Sequence, residues 1–233
     1  MSLVVPAVLL SSHKDLEEKL AIFADIPSVD RVQIDVVDGN FASPASWPYT
    51  VPGELSGMIT DGEMLPELDH IEYEIDLMCF DAELAAGQWL SIGASRLTFH
   101  AESVRDISRL LGSTRQCFGD DCVEFGLALN ITSDLSIIEP YISQVSYVQF
   151  MGIASIGRQG QAFDWRVFEK VRVFHERHPE IPMQVDGGVS LQNAKKLVAL
   201  GVSKLIIGSA ILRASDPALA IAELESLQST YGV

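Results

Sequence analysis

Pro182-Met183-Gln184-Val185-Asp186-Gly187-Gly188-Val189-Ser190 is the stretch that decides the fold. A short apolar run ends in a carboxylate and turns on two glycines. It then opens onto residues 191–200, whose apolar positions recur at helical spacing. The same unit runs outward in both directions. Strand-like runs are expected at 3–10, 31–37, 71–78, 96–99, 123–129, 147–150, 182–185 and 204–207. Helical patterns follow at 13–24, 82–90, 104–111, 165–177, 191–200 and 217–227, with a helical turn at 135–141. Residues 39–68 are the least regular, with Pro44, Pro48, Pro52 and Pro66, and read as a long loop holding one short helix. Eight strand–helix units in 233 residues leave about 29 residues per unit. Apolar strands of this kind suit a parallel sheet buried on both faces. The expectation is a closed (β/α)8 TIM barrel filling residues 1–233 as one domain. An open doubly wound sheet has the same periodicity and stays as the rival.

Hydrophobic residues make up 48% of the chain and charged residues 21%, ordinary globular usage that excludes extended disorder. Lys plus Arg number 16 against 32 Asp plus Glu, a formal charge of −16. That balance excludes a nucleic-acid binder and argues against docking on an anionic membrane. A small phosphorylated ligand stays allowed, because backbone N–H groups and helix N-termini hold phosphate whatever the net charge. Cys79, Cys117 and Cys122 lack metal-ligand spacing and read as idle thiols in a reducing, cytoplasmic setting. The apolar stretch 1–10 lacks a basic leader and is about half the length that spans a bilayer, so it reads as a strand.

The functional signal lies where the apolar runs end. Period-two alternation puts Gln33 and Asp35 on one strand face, and Glu74 and Asp76 on another. Further runs end at His100, Asn130 and Asp186. Carboxylates at the ends of apolar strands are costly to desolvate unless paired or metal-bound, and in a barrel they mark the catalytic face. Asp38, beside Gly39, reads as a turn residue. Gly187-Gly188 and Gly208-Ser209 follow the last two strands, where a barrel builds a phosphate site. The loop 151–163 carries Gly152, Gly157, Arg158, Gln159, Gly160 and Gln161, a mobile segment with one cation for an anionic ligand.

These residues together resemble the ribulose-phosphate 3-epimerase family, (β/α)8 barrels acting on pentulose phosphates. Asp35-Val36-Val37-Asp38-Gly39-Asn40-Phe41 matches that family's Asp-x-Met-Asp-Gly-x-Phe, and Leu97-Thr98-Phe99-His100-Ala101-Glu102 its Ile-Thr-Phe-His-x-Glu. Pro6, Gly126–Asn130, Val185–Val189 and Gly208–Ile211 fit in order, so the likeness spans nearly the whole chain. The resemblance implies that Asp35 and Asp186 are the acid/base pair, one on each face of the substrate. It implies a phosphate cradle of Gly187, Gly188, Gly208 and Ser209 with Gly160 nearby. Met78, Met151, His100, Arg158 and Gln161 would contact substrate, a small phosphorylated sugar. The family also points to a homo-oligomer.

Two departures concern its divalent metal, which the family holds with two histidines and the two aspartates. Gln33 and Asp76 stand at the histidine positions. The implied set Gln33, Asp35, Asp76 and Asp186 is all oxygen and favours Mg²⁺ or Mn²⁺ over Zn²⁺. The leading expectation is a sugar-phosphate 3-epimerase working through an enediolate. An aldol-type lyase or synthase on the same barrel, and a non-catalytic sugar-phosphate binder, stay open.

Overall fold

The computed structural model describes residues 2–119 and 123–231; Cys122 lies outside them. Eight parallel strands close into a barrel in chain order. They are β1 (Val4–Leu9), β2 (Arg31–Val37), β3 (Glu72–Met78), β4 (Arg96–His100), β5 (Glu124–Leu129), β6 (Tyr147–Met151), β7 (Met183–Asp186) and β8 (Lys204–Ile207). The barrel closes where β1 pairs β8, with Val4 beside Leu205. The open-sheet rival is thereby excluded.

The helices are α1 (His13–Ala24), α2 (Glu54–Asp61), α3 (Ala82–Ser91), α4 (Ile107–Phe118), α5 (Arg166–Arg177), α6 (Leu191–Ala199), α7 (Ser209–Leu212) and α8 (Pro217–Tyr231). Two 3₁₀ turns, Leu135–Ile137 and Glu139–Gln144, take the place of a helix between β5 and β6. The short helix expected within the proline-rich segment is α2. The helix expected at 104–111 starts later and runs on to Phe118. Its start is set by Asp106, whose carboxylate accepts from Arg109 N at 2.9 Å and caps the first turn. The one-turn α7, directly after Gly208, carries no periodic signal and is absent from the sequence expectation.

The apolar core lies outside the barrel wall. Ile34, Ile75, Leu97, Phe125, Val148, Val185 and Leu205 point outward into one cluster with Leu16 and Leu20 of α1, Val171 and Phe174 of α5, and Leu197 of α6. Inside the wall the picture inverts. Among the described residues, Val5, Ala7 and Ile206 form a small apolar group there, on one side. The interior is otherwise largely polar, with Gln33, Glu74, Asp76, Arg96, Thr98, His100, Gln149 and Gln184 buried there beside Tyr147. Buried polar groups hold a fold best when they satisfy one another, and most of these do so across strands, Gln33 Oε1 and His100 Nδ1 excepted. Gly126 makes room for this layer: a Cβ there would lie 2.1 Å from the Tyr147 ring.

Candidate active site

At the C-terminal end of the barrel, three carboxylates converge. Asp35 follows two residues after Gln33 on β2, Asp76 two residues after Glu74 on β3, and Asp186 is the last residue of β7. One oxygen of each lies within 4.8 Å of the others. Gln33 sits beneath them and ties two together. Its Nε2 donates to Asp35 Oδ1 at 2.9 Å and to Asp186 Oδ2 at 3.1 Å. Its Oε1 is buried with no partner.

The electrostatics follow from burial. Desolvation, with the Asp76 charge adding to it, pushes the Asp35 carboxyl up to about 7. Desolvation, then the charges of Asp35 and Asp76, hold the Asp186 carboxyl well above the usual carboxylate range. Burial alone would lower His100, but the Asp76 carboxylate at 3.0 Å from its Nε2 overrides it and the imidazole is raised. Like charges this close resist ionising together, and burial adds to that resistance at both Asp35 and Asp186.

Asp35 and Asp186 line one cavity with Met78, Met151 and the glycine turns, and the same cavity reaches Ser209. Gly187 and Gly188 both take positive φ, and a Cβ on Gly188 would meet the Phe163 backbone at 2.8 Å. Asn193 of α6 clips this turn to the helix: its Nδ2 donates to Gly188 O at 3.0 Å, and its Oδ1 accepts from Ser190 N at 2.9 Å. The turn's backbone is thus held open at the head of α6, an arrangement able to take an anion.

The loop 152–164 closes over the cavity, its ends joined where Asp164 N donates to Gly152 O at 2.7 Å. Arg158, Gly160 and Gln161 line the cavity as expected from the sequence. Arg158 Nε donates to Ser43 O at 2.9 Å, and Gln161 braces its own loop by donating to Arg158 O at 2.8 Å. The loop residue that reaches deepest is instead Gln159, whose Nε2 donates to Ala7 O at 3.2 Å beside Asp35. Sequence offered no reason to prefer it over its neighbours. His100 is fully buried behind Asp76, its Nε2 3.0 Å from Asp76 Oδ1, and is not among the residues that line the cavity. Asp38 holds a turn, accepting from Asn40 N and Phe41 N at 2.7 Å each. Cys79 is buried, and burial raises its thiol pKa further, away from reactivity.

The donor set suits a hard divalent cation. Three carboxylate oxygens lie within 4.8 Å of one another, and turning the Gln33 amide over would set its orphaned Oε1 toward Asp35 and Asp186. Asp76 is braced by hydrogen bonds from behind, as ligating carboxylates usually are.

Fold and site together define a (β/α)8 enzyme with a buried acid cluster beside a glycine cradle. A sequence profile described as the ribulose-phosphate 3 epimerase family matches residues 3–212. The chain belongs to the ribulose-phosphate 3-epimerase family, and with it to the isomerases. The ribulose-phosphate 3-epimerase of Schizosaccharomyces pombe is 24% identical over 223 residues, covering 96% of this chain and 92% of its own. That of Escherichia coli K12 is 26% identical, covering 96% and 95%. Among solved structures, KGPDC from Streptococcus mutans superposes with a TM-score of 0.68 at 18% identity, covering 99% of both chains. A 3-hexulose-6-phosphate synthase from Salmonella typhimurium gives 0.66 at 16% identity, covering 99% of this chain and 100% of its own. These two speak for the barrel. Among the described residues no helix is long and apolar enough to cross a membrane.

Proposed function

We propose that the chain epimerises a ketose phosphate at C3, the carbon next to its ketone, with Asp35 and Asp186 as the acid/base pair. The observation that carries this reading is the pair itself. Two carboxyls with raised pKa values line one cavity, bridged by Gln33 and adjoining the glycine turns. Inverting a carbon acid needs a base on one side and an acid on the other. A pair that shares one proton supplies both, and exchanges the roles when the reaction runs backwards. The two approach from different directions, since β7 and β2 are three strand steps apart around the barrel.

Substrate would lie with its phosphate on Gly187, Gly188, Gly208 and Ser209 and its C3 between the two acids. Met78 and Met151 would pack on the carbon chain and exclude water, which strengthens every charge interaction inside. Arg158 and Gln161 would cover it from the loop, with Gly160 giving the loop room to turn. A divalent ion held by Asp35, Asp76, Asp186 and Gln33 Oε1, Mg²⁺ or Mn²⁺ in preference to Zn²⁺, would polarise the ketone and alcohol oxygens. The residues' own part is proton transfer at C3, with Asp186 returning what Asp35 removes, or the reverse.

Asp35→Asn and Asp186→Asn each test this. Each should lower kcat for interconversion of ribulose 5-phosphate and xylulose 5-phosphate by about 10²–10⁴-fold. A near-wild-type rate in either, or a product with a changed number of carbons, would overturn the reading.

A further inference from the structure

The interior of the barrel holds one connected chain of hydrogen bonds, and it starts at the end far from the cavity. Arg96 Nε donates to Glu74 Oε2 at 2.9 Å, both residues buried, and a second Arg96 nitrogen pairs with Glu124. Both Glu74 oxygens act as acceptors. Its other oxygen accepts from Thr98 Oγ1 at 3.1 Å and from Gln184 Nε2. The second hydrogen of that Gln184 nitrogen goes to Gln149 Oε1 at 2.7 Å. The Gln149 carbonyl being taken, its Nε2 must face the other way, and it donates to Asp76 Oδ2 at 3.0 Å. His100 Nε2 meets the remaining Asp76 oxygen at 3.0 Å. Each amide has one orientation that satisfies its neighbours, and reversing either would set N–H against N–H or oxygen against oxygen.

We infer that Gln149, oriented through Gln184 by the Arg96–Glu74 ion pair, is a positioning residue for Asp76. Gln149 and Gln184 lie outside the cavity wall; Gln149 reaches it through Asp76 and through its 3.6 Å contact with Met151 Sδ, and Gln184 reaches it through Gln149. An ion pair at the opposite end of the barrel thereby fixes the carboxylate that completes the acid cluster. The inference rests on the proposed function for its kinetic consequence, and on geometry alone for its structural one.

The test is a double-mutant cycle with the size-matched variants Gln149→Met and Gln184→Met, read in two ways. Kinetically, each should lower kcat about 10–100-fold with KM for the sugar phosphate unchanged, the range typical when a partner of a site carboxylate is removed. The double variant should be no slower than the slower single, because both break one chain. Spectroscopically, and without substrate, the His100 Nε2–H proton resonance, assigned by its loss in His100→Gln, should shift in Gln184→Met as it does in Gln149→Met. Gln184 touches neither His100 nor Asp76, so a merely local role would leave that resonance in place. If Gln184→Met does not fold, Gln184→Leu removes the donor without adding a charge or a proton. Multiplicative rate losses in the double variant, or an unmoved His100 resonance in either Gln184 variant, would overturn the inference. If the wild type turns over no sugar phosphate, the proposed function fails and the resonance still decides the network.

Discussion

The acid cluster is held at a cost that pH reveals. Asp35 and Asp186 have raised pKa values in the folded chain and ordinary ones, near 4, when unfolded. The folded state therefore binds more protons in that window, and stability falls as pH rises. The contribution is complete below about 4 and lost as pH climbs through the folded value of Asp35, about 7. His100, also raised, adds with the same sign. In metal-free buffer the Tm should fall between pH 6 and pH 8. Asp186→Asn should flatten that fall and raise the Tm at pH 8, by about 2–4 °C per kcal/mol of repulsion relieved. An unchanged slope with a lower Tm would contradict this. Individual residues were legible in the sequence where chemistry and period coincide. Asp35 and Asp186 end apolar strands, and Gln33 and Glu74 lie two residues from an Asp on the same face. Gln149 and Gln184 were not legible: one glutamine in a five- or four-residue apolar strand has no period to stand against. Gln159 was hidden for another reason, since a loop has no period that selects one residue from its neighbours.

At the level of elements, the turn from β7 into α6 is the joint that matters. Gly188 has no space for a side chain against the Phe163 backbone, and its φ of +68° disfavours one. Gly188→Ala should raise KM for a phosphorylated sugar by about tenfold or more and cost about 1–3 kcal/mol of stability. Asn193→Ala releases the clip and should cost about 1–3 kcal/mol, through the Gly188 carbonyl and Ser190 N–H left unpaired. Denaturant unfolding and saturation kinetics on each variant check both. Strand positions were readable because every one is a short apolar run between turn residues. The start of α4 was misplaced because Val104 looked periodic, while the cap at Asp106 decides where hydrogen bonding begins. The resemblance implied a substrate contact for His100, and in the barrel its buried ring is held by Asp76.

The molecule as a whole puts its apolar core outside the barrel wall and an ordered polar layer within it. That division lets the catalytic end carry three carboxylates without leaving them unsupported. A cation bound there would cancel their repulsion. At pH 8, Mn²⁺ or Mg²⁺ at 100 times its Kd should stabilise the protein by about 2.7 kcal/mol, and Asp76→Asn should abolish most of that gain. No change in Tm with either ion would remove the metal from the account. The central claim is proton transfer at C3 between Asp35 and Asp186, and deuterium exchange tests it most directly. The protein is incubated with D-ribulose 5-phosphate in D₂O, with Mg²⁺ or Mn²⁺ and without, and C3 is followed by NMR. The account predicts deuterium at C3 and the appearance of xylulose 5-phosphate, both lost in Asp186→Asn. No deuterium at C3 with any ion, or full exchange in the Asp186→Asn variant, would contradict it.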